Sequence, residues 1–134
     1  MNRGAEAQRW LAEAEEELRT AEWDLKGERW GAACFWAQQA AEKALKAFLV
    51  GHTDRLLYEH SLVALVRATA EYDQRLPDLE GACALLDRYC VMTRYPNSLP
   101  TPAVPSQTFG PEEARQAVEQ GRRVVTDAAS RVRP

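Results

Sequence analysis

The segment 30–50 restricts the fold of this chain more than any other. Its apolar residues recur at the three- and four-residue spacing of an α-helix and fill two neighbouring strips: Cys34, Ala37, Ala41, Ala44, Leu45 and Phe48 on one, and Trp36, Ala40 and Ala47 on the other. A helix that is apolar over more than half of its circumference packs against several neighbours. We therefore predict a central helix over 30–50 that ends at Gly51. We expect its polar surface from Gln38, Gln39, Glu42, Lys43 and Lys46.

Four further segments show the same kind of periodicity, and we predict helices over 5–26, 61–75, 79–94 and from 111 onward. Ser61 and Asp78 are suitable N-caps for the third and fourth helices of the chain, and Pro77 separates these two helices. No segment alternates apolar and polar residues in the manner of a strand. The pattern predicts an all-α fold, an up-and-down antiparallel bundle of about five helices.

A proline-rich loop, 96–110, separates the last two predicted helices. Pro100, Pro102 and Pro105 favour an extended, polyproline-like path there. A loop of more than about 12 residues is uncommon in a compact domain and is often functional; a plain strap over the bundle is the alternative. A length of 134 residues is about one domain, so we expect residues 1–134 to form a single helical domain that includes this loop.

The composition argues against several classes of protein. A net charge of −3 lacks the basic balance of a dedicated DNA-binding domain. There is no apolar run of about 18 residues and no signal peptide, so we expect no membrane association and a cytoplasmic location. Three cysteines without a C-x-x-C pair suggest free buried thiols in a reducing compartment. With two histidines and none of the common phosphate-loop or hydrolase motifs, the sequence predicts no metal site and no cofactor.

The best candidates for a binding site stand near the end of the fourth predicted helix. Arg88 and Arg94 carry the planar fork that binds phosphate, and Tyr89 or Tyr95 is suited to stacking on a nucleobase. A structural explanation stands beside this one, because arginine complements a helix C-terminus and tyrosine covers the edge of a core.

Lys43 and Lys46 are two further candidates for binding phosphate, one turn apart on the central helix. They join the site only if the fourth helix brings Arg94 near them. On their own, they are expected to be solvated.

Four motifs, taken in order along the chain, resemble those of HEPN domains. Residues 35–47 read FWAQQAAEKALKA and are similar to the second-helix signature of that family. The run 60–62, His-Ser-Leu, resembles the start of the family's next helix. Residues 86–89 and 93–96 read LDRY and TRYP, as in its L-D-x-Y…T-R-Y-P segment. Phe109, followed by Glu-Glu-Ala, resembles the opening of its last helix.

The resemblance implies an up-and-down bundle that homodimerises, often beside a small nucleotidyltransferase in a toxin–antitoxin-like pair. It implies a nucleotide or RNA as ligand, with Arg94 and Tyr95 as the first residues to test. It also marks four residues as motif positions with structural roles: Gln39, His60, Asp87 and Pro96. The four tryptophans of the chain, more aromatic bulk than one small core readily hides, also favour a homodimer.

The ribonucleases of that family carry R-x(4–6)-H near the start of the last helix or in the loop before it, and this chain departs from that pattern. No histidine follows residue 60, and Ser98, Leu99 and Pro100 stand four to six residues after Arg94. Arg55 and His60 have the right spacing but lie between the second and third helices. The sequence thus argues against an enzyme without deciding the question, because metal-free RNA cleavage needs an acid and a base that titrate near working pH.

Three hypotheses follow from these observations. The first is a homodimeric HEPN-like module that partners a nucleotidyltransferase and binds nucleotide or RNA through Arg94 and Tyr95. The second is a divergent metal-independent ribonuclease. The third is a non-catalytic structural bundle whose T-R-Y-P segment only ends a helix and supports a dimer interface.

Overall fold

Five α-helices form the framework of residues 2–132, the part of the chain that this computed structural model describes. They are α1 (Arg3–Lys26), α2 (Trp30–Val50), α3 (Leu62–Ala68), α4 (Glu80–Leu86) and α5 (Pro111–Ala129). No strand occurs among the described residues, and the predicted all-α bundle is confirmed. None of these helices is long and apolar enough to cross a membrane.

The central position predicted for α2 is also observed. Its long sides pack against α1 and α5, and it contacts α3 and α4 as well. Ala37 and Ala41 have no exposed surface. Gly121 of α5 lies so close to α2 that an added Cβ would stand 3.0 Å from the carbonyl oxygen of Ala37. Small residues on both helices therefore set how closely α5 approaches α2.

The predicted polar surface of α2 is wrong in part. Gln38, Glu42 and Lys46 are 0%, 5% and 3% exposed, so they belong to the interior. Lys46 Nζ lies 3.0 Å from Glu42 Oε2 within that interior. Periodicity showed which residues share a side of α2, but it did not show that neighbours cover this side too.

The third and fourth helices are shorter than predicted. After Ala68 the chain continues as a 3₁₀ turn, Thr69–Glu71, in which Thr69 Oγ1 donates to the Val66 carbonyl at 2.6 Å. The next helical stretch opens with a second 3₁₀ turn, Leu76–Leu79, that contains Pro77. Asp78 makes no capping hydrogen bond, contrary to expectation. The carboxylate that accepts from backbone N–H groups before this turn is that of Asp73.

The proline-rich loop was predicted to be extended, but it is not extended throughout. It contains two 3₁₀ turns, Pro96–Ser98 and Pro105–Gln107, each with proline at its start. The fixed φ of proline suits the first position of such a turn. Pro105 and Phe109 then pack against Gly31, where an added Cβ would meet both residues at 3.2 Å. The loop is thereby fastened over the start of α2.

Candidate functional site

Asp87 joins two of the sequence motifs, the L-D-R-Y run to which it belongs and the H-S-L run at the start of α3. Its carboxylate accepts hydrogen bonds from the N–H groups of Leu62 and Val63, at 2.7 and 3.1 Å, and from Ser61 Oγ at 3.3 Å. Ser61 Oγ in turn accepts from Ala64 N at 3.2 Å. The start of α3 is therefore capped twice: by its N-cap residue Ser61, and by Asp87, which follows α4. This tie fixes where the chain leaves α4.

Tyr89 and Arg88 form a second fixed point. The Tyr89 ring is 2% exposed, and its hydroxyl donates to Glu113 Oε2 at 2.9 Å. Burial, and then the hydrogen bond to Glu113, raise the pKa of this phenol well above its usual range. Arg88 Nη2 lies 3.9 Å from the same Glu113 oxygen. Tyr89 faces inward and is unavailable for stacking on a base, and Arg88 already has a carboxylate partner.

Arg94 has a different environment. Its guanidinium carbon lies 4.8 Å from the centre of the Phe35 ring and 5.2 Å from that of Tyr95. The nearby chain is held by Thr93 Oγ1, which donates to the Tyr89 carbonyl at 2.6 Å. Within residues 2–132 no carboxylate lies within 4 Å of Arg94. This exposed cation is positioned by aromatic rings and keeps its N–H groups free for an anion.

Tyr95 and Pro96 complete the outer edge of this surface. Tyr95 is 47% exposed and has the extended backbone that a following proline favours. Pro96 begins the 3₁₀ turn, and Ser98 Oγ donates to the Tyr95 carbonyl at 2.6 Å. An exposed aromatic ring thus lies directly beside the free guanidinium.

Glu42 is the buried carboxylate of α2 that contacts His60. Its Oε2 atom lies 3.0 Å from Lys46 Nζ and 3.3 Å from His60 Nδ1, and its Oε1 atom is buried without a hydrogen-bond partner among the described residues. Burial raises the pKa of the half-buried Cys90 thiol; Glu42 raises it further, and Arg94 lowers it. Glu42 and Arg94 thus act on the Cys90 thiol with opposite sign. The side chain of His60, which Glu42 contacts, is 72% exposed.

The remaining candidates of α2 do not join Arg94. Lys43 Nζ pairs with the Glu17 carboxylate of α1 at 2.9 Å. Gln39 Nε2 donates to Gln38 Oε1 at 2.7 Å, and Gln38 Nε2 has no partner within the described chain. Lys46 Nζ lies 5.8 Å from the centre of the Trp10 ring. Lys43 and Lys46 are thus paired with carboxylates, and neither is the solvated cation that we expected.

Arg55 also has a partner that is not His60. Its Nη2 atom lies 3.5 Å from Glu71 Oε2 on the surface. The R-x(4)-H spacing between Arg55 and His60 therefore does not bring the two side chains into one ion-paired group. Sequence reasoning missed Phe35 and Glu42 as neighbours of the site; the aromatic pair at positions 35 and 36 was the one signal available.

Comparison with known proteins identifies the family of this fold. The HEPN domain model matches residues 7–131. The crystal structure of TT1696 from Thermus thermophilus is 30% identical, with coverage of 98% of this chain and 99% of that one, and superposes with a TM-score of 0.82. An archaeal HEPN homologue, 24% identical over 95% of this chain and 98% of that one, gives 0.75.

Two further relatives extend the comparison. A HEPN domain protein from Thermotoga maritima is 23% identical over 91% of this chain and 95% of that one, with a TM-score of 0.70. Human sacsin is 32% identical in an alignment over 120 residues. The alignment covers 85% of this chain and only 3% of sacsin. With the family model covering nearly all of the described residues, the chain belongs to the HEPN domain family.

Proposed function

We propose that this chain is a homodimeric HEPN module that binds the phosphate of a nucleotide or of RNA through Arg94, beside a nucleotidyltransferase partner in a toxin–antitoxin-like pair. The observation that carries the binding proposal is the state of Arg94: exposed, positioned by two rings and without a carboxylate in residues 2–132. A guanidinium in that state offers its planar N–H edge to phosphate oxygens.

The surroundings of Arg94 suit the rest of a nucleotide. Tyr95 and Val91 are 47% and 51% exposed, so the chain around Arg94 presents apolar surface to the solvent. A ring with one open face stacks on any base, because every base has a π-face. We therefore expect Tyr95 to contact the base or the sugar while Arg94 holds the phosphate.

The homodimer and the nucleotidyltransferase partner rest on membership of the family and on exposed apolar surface. Trp23 and Tyr58 are 76% and 90% exposed, far more than large aromatic residues usually are. Light scattering at micromolar concentration should give the mass of a dimer, and a monomeric mass would overturn that part. A nucleotidyltransferase encoded next to this chain should copurify with it; an isolated gene would count against the pairing.

Calorimetry with ATP and GTP tests the binding site. We expect measurable heat with the unaltered protein and affinity at least about tenfold lower in Arg94→Ala, since a hydrogen bond to a charged group is worth roughly 1.5–3 kcal/mol. Arg123→Ala is the matched control, because Arg123 is an exposed arginine of α5 with no carboxylate within 4 Å in the described chain. Equal affinities in all three proteins would exclude Arg94 as the phosphate ligand.

A second candidate function, metal-independent RNA cleavage, is favoured by one observation. Glu42 lies 3.3 Å from His60 Nδ1, an arrangement that orients an imidazole and leaves its Nε2 atom for a substrate. Arg94 would hold the phosphate. RNA incubated with the protein in chelator should then be cut by the unaltered protein and not by His60→Ala or Arg94→Ala. Intact RNA after incubation with the unaltered protein would remove this candidate.

A further inference from the structure

A cavity of about 530 Å³ lies at the end of the bundle where α1 begins and α2 and α5 end. Its size falls within the range of about 300–1,000 Å³ that small-molecule sites occupy. The cavity is remote from Arg94, because Phe35, which contacts Arg94, and Gly51, which lines the cavity, are separated by roughly 24 Å along the axis of α2. It is therefore distinct from the candidate phosphate site.

Small side chains explain why the cavity is open. Gly4 and Ala7 of α1 line one side, and Ala47 and Gly51 at the end of α2 line another. Two helix ends that meet with glycine and alanine at their contact points leave volume that larger side chains would fill. These glycine and alanine residues make their part of the cavity lining apolar.

An aromatic wall bounds the cavity. The rings of His52 and Tyr72 are stacked, with centroids 4.3 Å apart and planes at 13°. Phe48 adds a third ring at 5.0 Å from His52. Neither the imidazole of His52 nor the hydroxyl of Tyr72 makes a hydrogen bond within residues 2–132. The three residues give the cavity an aromatic wall, and the polar groups of His52 and Tyr72 are still to be satisfied.

Arg131 is the fixed polar group of the cavity. Its Nε atom donates to Asp73 Oδ2 at 2.9 Å, and its Nη1 atom donates to the Asp127 carbonyl and to Ser130 Oγ at 3.0 and 2.9 Å. These bonds hold the guanidinium, and its side chain is only 24% exposed. Nη2 is the one nitrogen of the group without an acceptor in the described chain.

Asp73 does not compete for that nitrogen. Its Oδ1 atom accepts from the N–H groups of Arg75 and Leu76, both at 2.8 Å, and its Oδ2 atom accepts from Arg131 Nε. With Asp73 satisfied, the cavity lining has unused donors on Arg131, on Tyr72 and on a protonated nitrogen of His52. A ligand that complements these donors has to supply acceptor oxygens.

We propose that this cavity binds a small planar carboxylate, with its ring against the wall formed by Phe48, His52 and Tyr72 and one carboxylate oxygen on Arg131 Nη2. The hydrogen bond is charge-assisted and the guanidinium is held in place beforehand, so little ordering is needed on binding. The apolar floor of Ala7 and Ala47 takes the edge of the ring.

Calorimetry with benzoate, benzamide and acetate tests the ligand class. Benzoate carries both the ring and the charge, benzamide the ring alone and acetate the charge alone. We expect benzoate to saturate the protein at millimolar concentration or below, benzamide to bind at least about fivefold more weakly and acetate not to saturate. The His52 and Tyr72 resonances in NMR spectra should shift with benzoate. Absence of benzoate binding, or equal binding of benzamide, would overturn the proposal.

Two variants test the place of binding. Gly4→Leu fills the cavity from its rim, and it is compatible with folding because an added Cβ at Gly4 meets only Asn2 Oδ1, at 3.4 Å. Arg131→Gln removes the donor. We expect each to weaken benzoate binding at least about tenfold, while Arg123→Gln, on the exposed face of α5, leaves it unchanged. Benzoate affinity retained in both cavity variants would show that the cavity is not the site.

Discussion

Toward α5, the central helix α2 is buried by small apolar side chains; toward α1 and the start of α3, it is buried together with its charges. On the first side, Ala37 lies against Gly121 and the helices nearly touch through their backbones. On the second side, Glu42 pairs with Lys46, and Lys43 pairs with Glu17. Close packing of apolar side chains stabilises the fold without burying a charge. A buried charge loses its hydration energy, and its partners have to offset that loss.

The difference between the two sides indicates which side of α2 does more than pack in the core. Buried ion pairs contribute little to stability compared with apolar residues of similar size. The charged side of α2 also carries the unpartnered atoms Gln38 Nε2 and Glu42 Oε1, and it adjoins His60. We therefore expect the charged side to support the candidate site, while the side that faces α5 sets the distance between the two helices.

The largest effect is expected from breaking the most buried pair. Lys46→Met leaves the Glu42 carboxylate buried without its ammonium partner, and we expect a loss of roughly 3–5 kcal/mol in the free energy of unfolding. Urea denaturation measures the change. Adding Glu42→Leu should restore most of the stability, because the second charge is then gone as well. A double variant no more stable than the single one would contradict the explanation that the unpaired charge of Glu42 causes the loss.

A smaller effect is expected on the side that faces α5. In Gly121→Ala, the new Cβ meets the backbone of Ala37 at 3.0–3.3 Å, and backbone cannot move aside, so we expect a loss of about 1–3 kcal/mol. Gly81→Ala is the matched control, because a Cβ at Gly81 in α4 meets no atom within 4 Å. That control should gain about 0.5–1 kcal/mol from helix propensity. Equal changes in the two variants would mean that the close approach is not required.

The smallest effect is a dependence on pH at Glu17. Burial raises the pKa of this carboxyl, and the Lys43 ammonium offsets only part of the change. The folded state then favours the protonated form, so the free energy of unfolding is greatest at or below the ordinary pKa near 4.5 and falls as pH rises through the raised value. We expect this change to be smaller than the loss in Gly121→Ala, because Lys43 offsets part of the cost of burial. Denaturation of the unaltered protein and Glu17→Gln between pH 4 and 7 measures it, and the variant should lose this component.

Much of the fold follows from residue patterns, and the failures have a common cause. The bounds of α2 were predicted correctly because its alanines and the glycine at its end are local signals. Burial of Gln38, Glu42 and Lys46 was missed because it depends on what covers the helix. Asp78 was predicted as a cap, and the role of Asp73 was missed, because the 3₁₀ turn at Pro77 could not be read from spacing.

The candidate site divides in the same way. Arg94 and Tyr95 were selected from sequence because they precede Pro96, and that position still leaves them at the surface. The contact of Arg94 with Phe35 joins two distant parts of the chain and has no local signature. The sequence left the role of Tyr89 open, because the hydroxyl of a tyrosine near a helix end looks the same in sequence whether it meets solvent or Glu113.

The cap that Asp87 provides to α3 bears on the order in which the chain folds. A helix of seven residues is too short to persist alone in water. Two of its first N–H groups, those of Leu62 and Val63, are satisfied by a carboxylate that arrives only when the chain after α4 has docked. The α3 helix should therefore mature together with α4 as one cooperative unit, and hydrogen exchange at these two amides will record each opening of that unit.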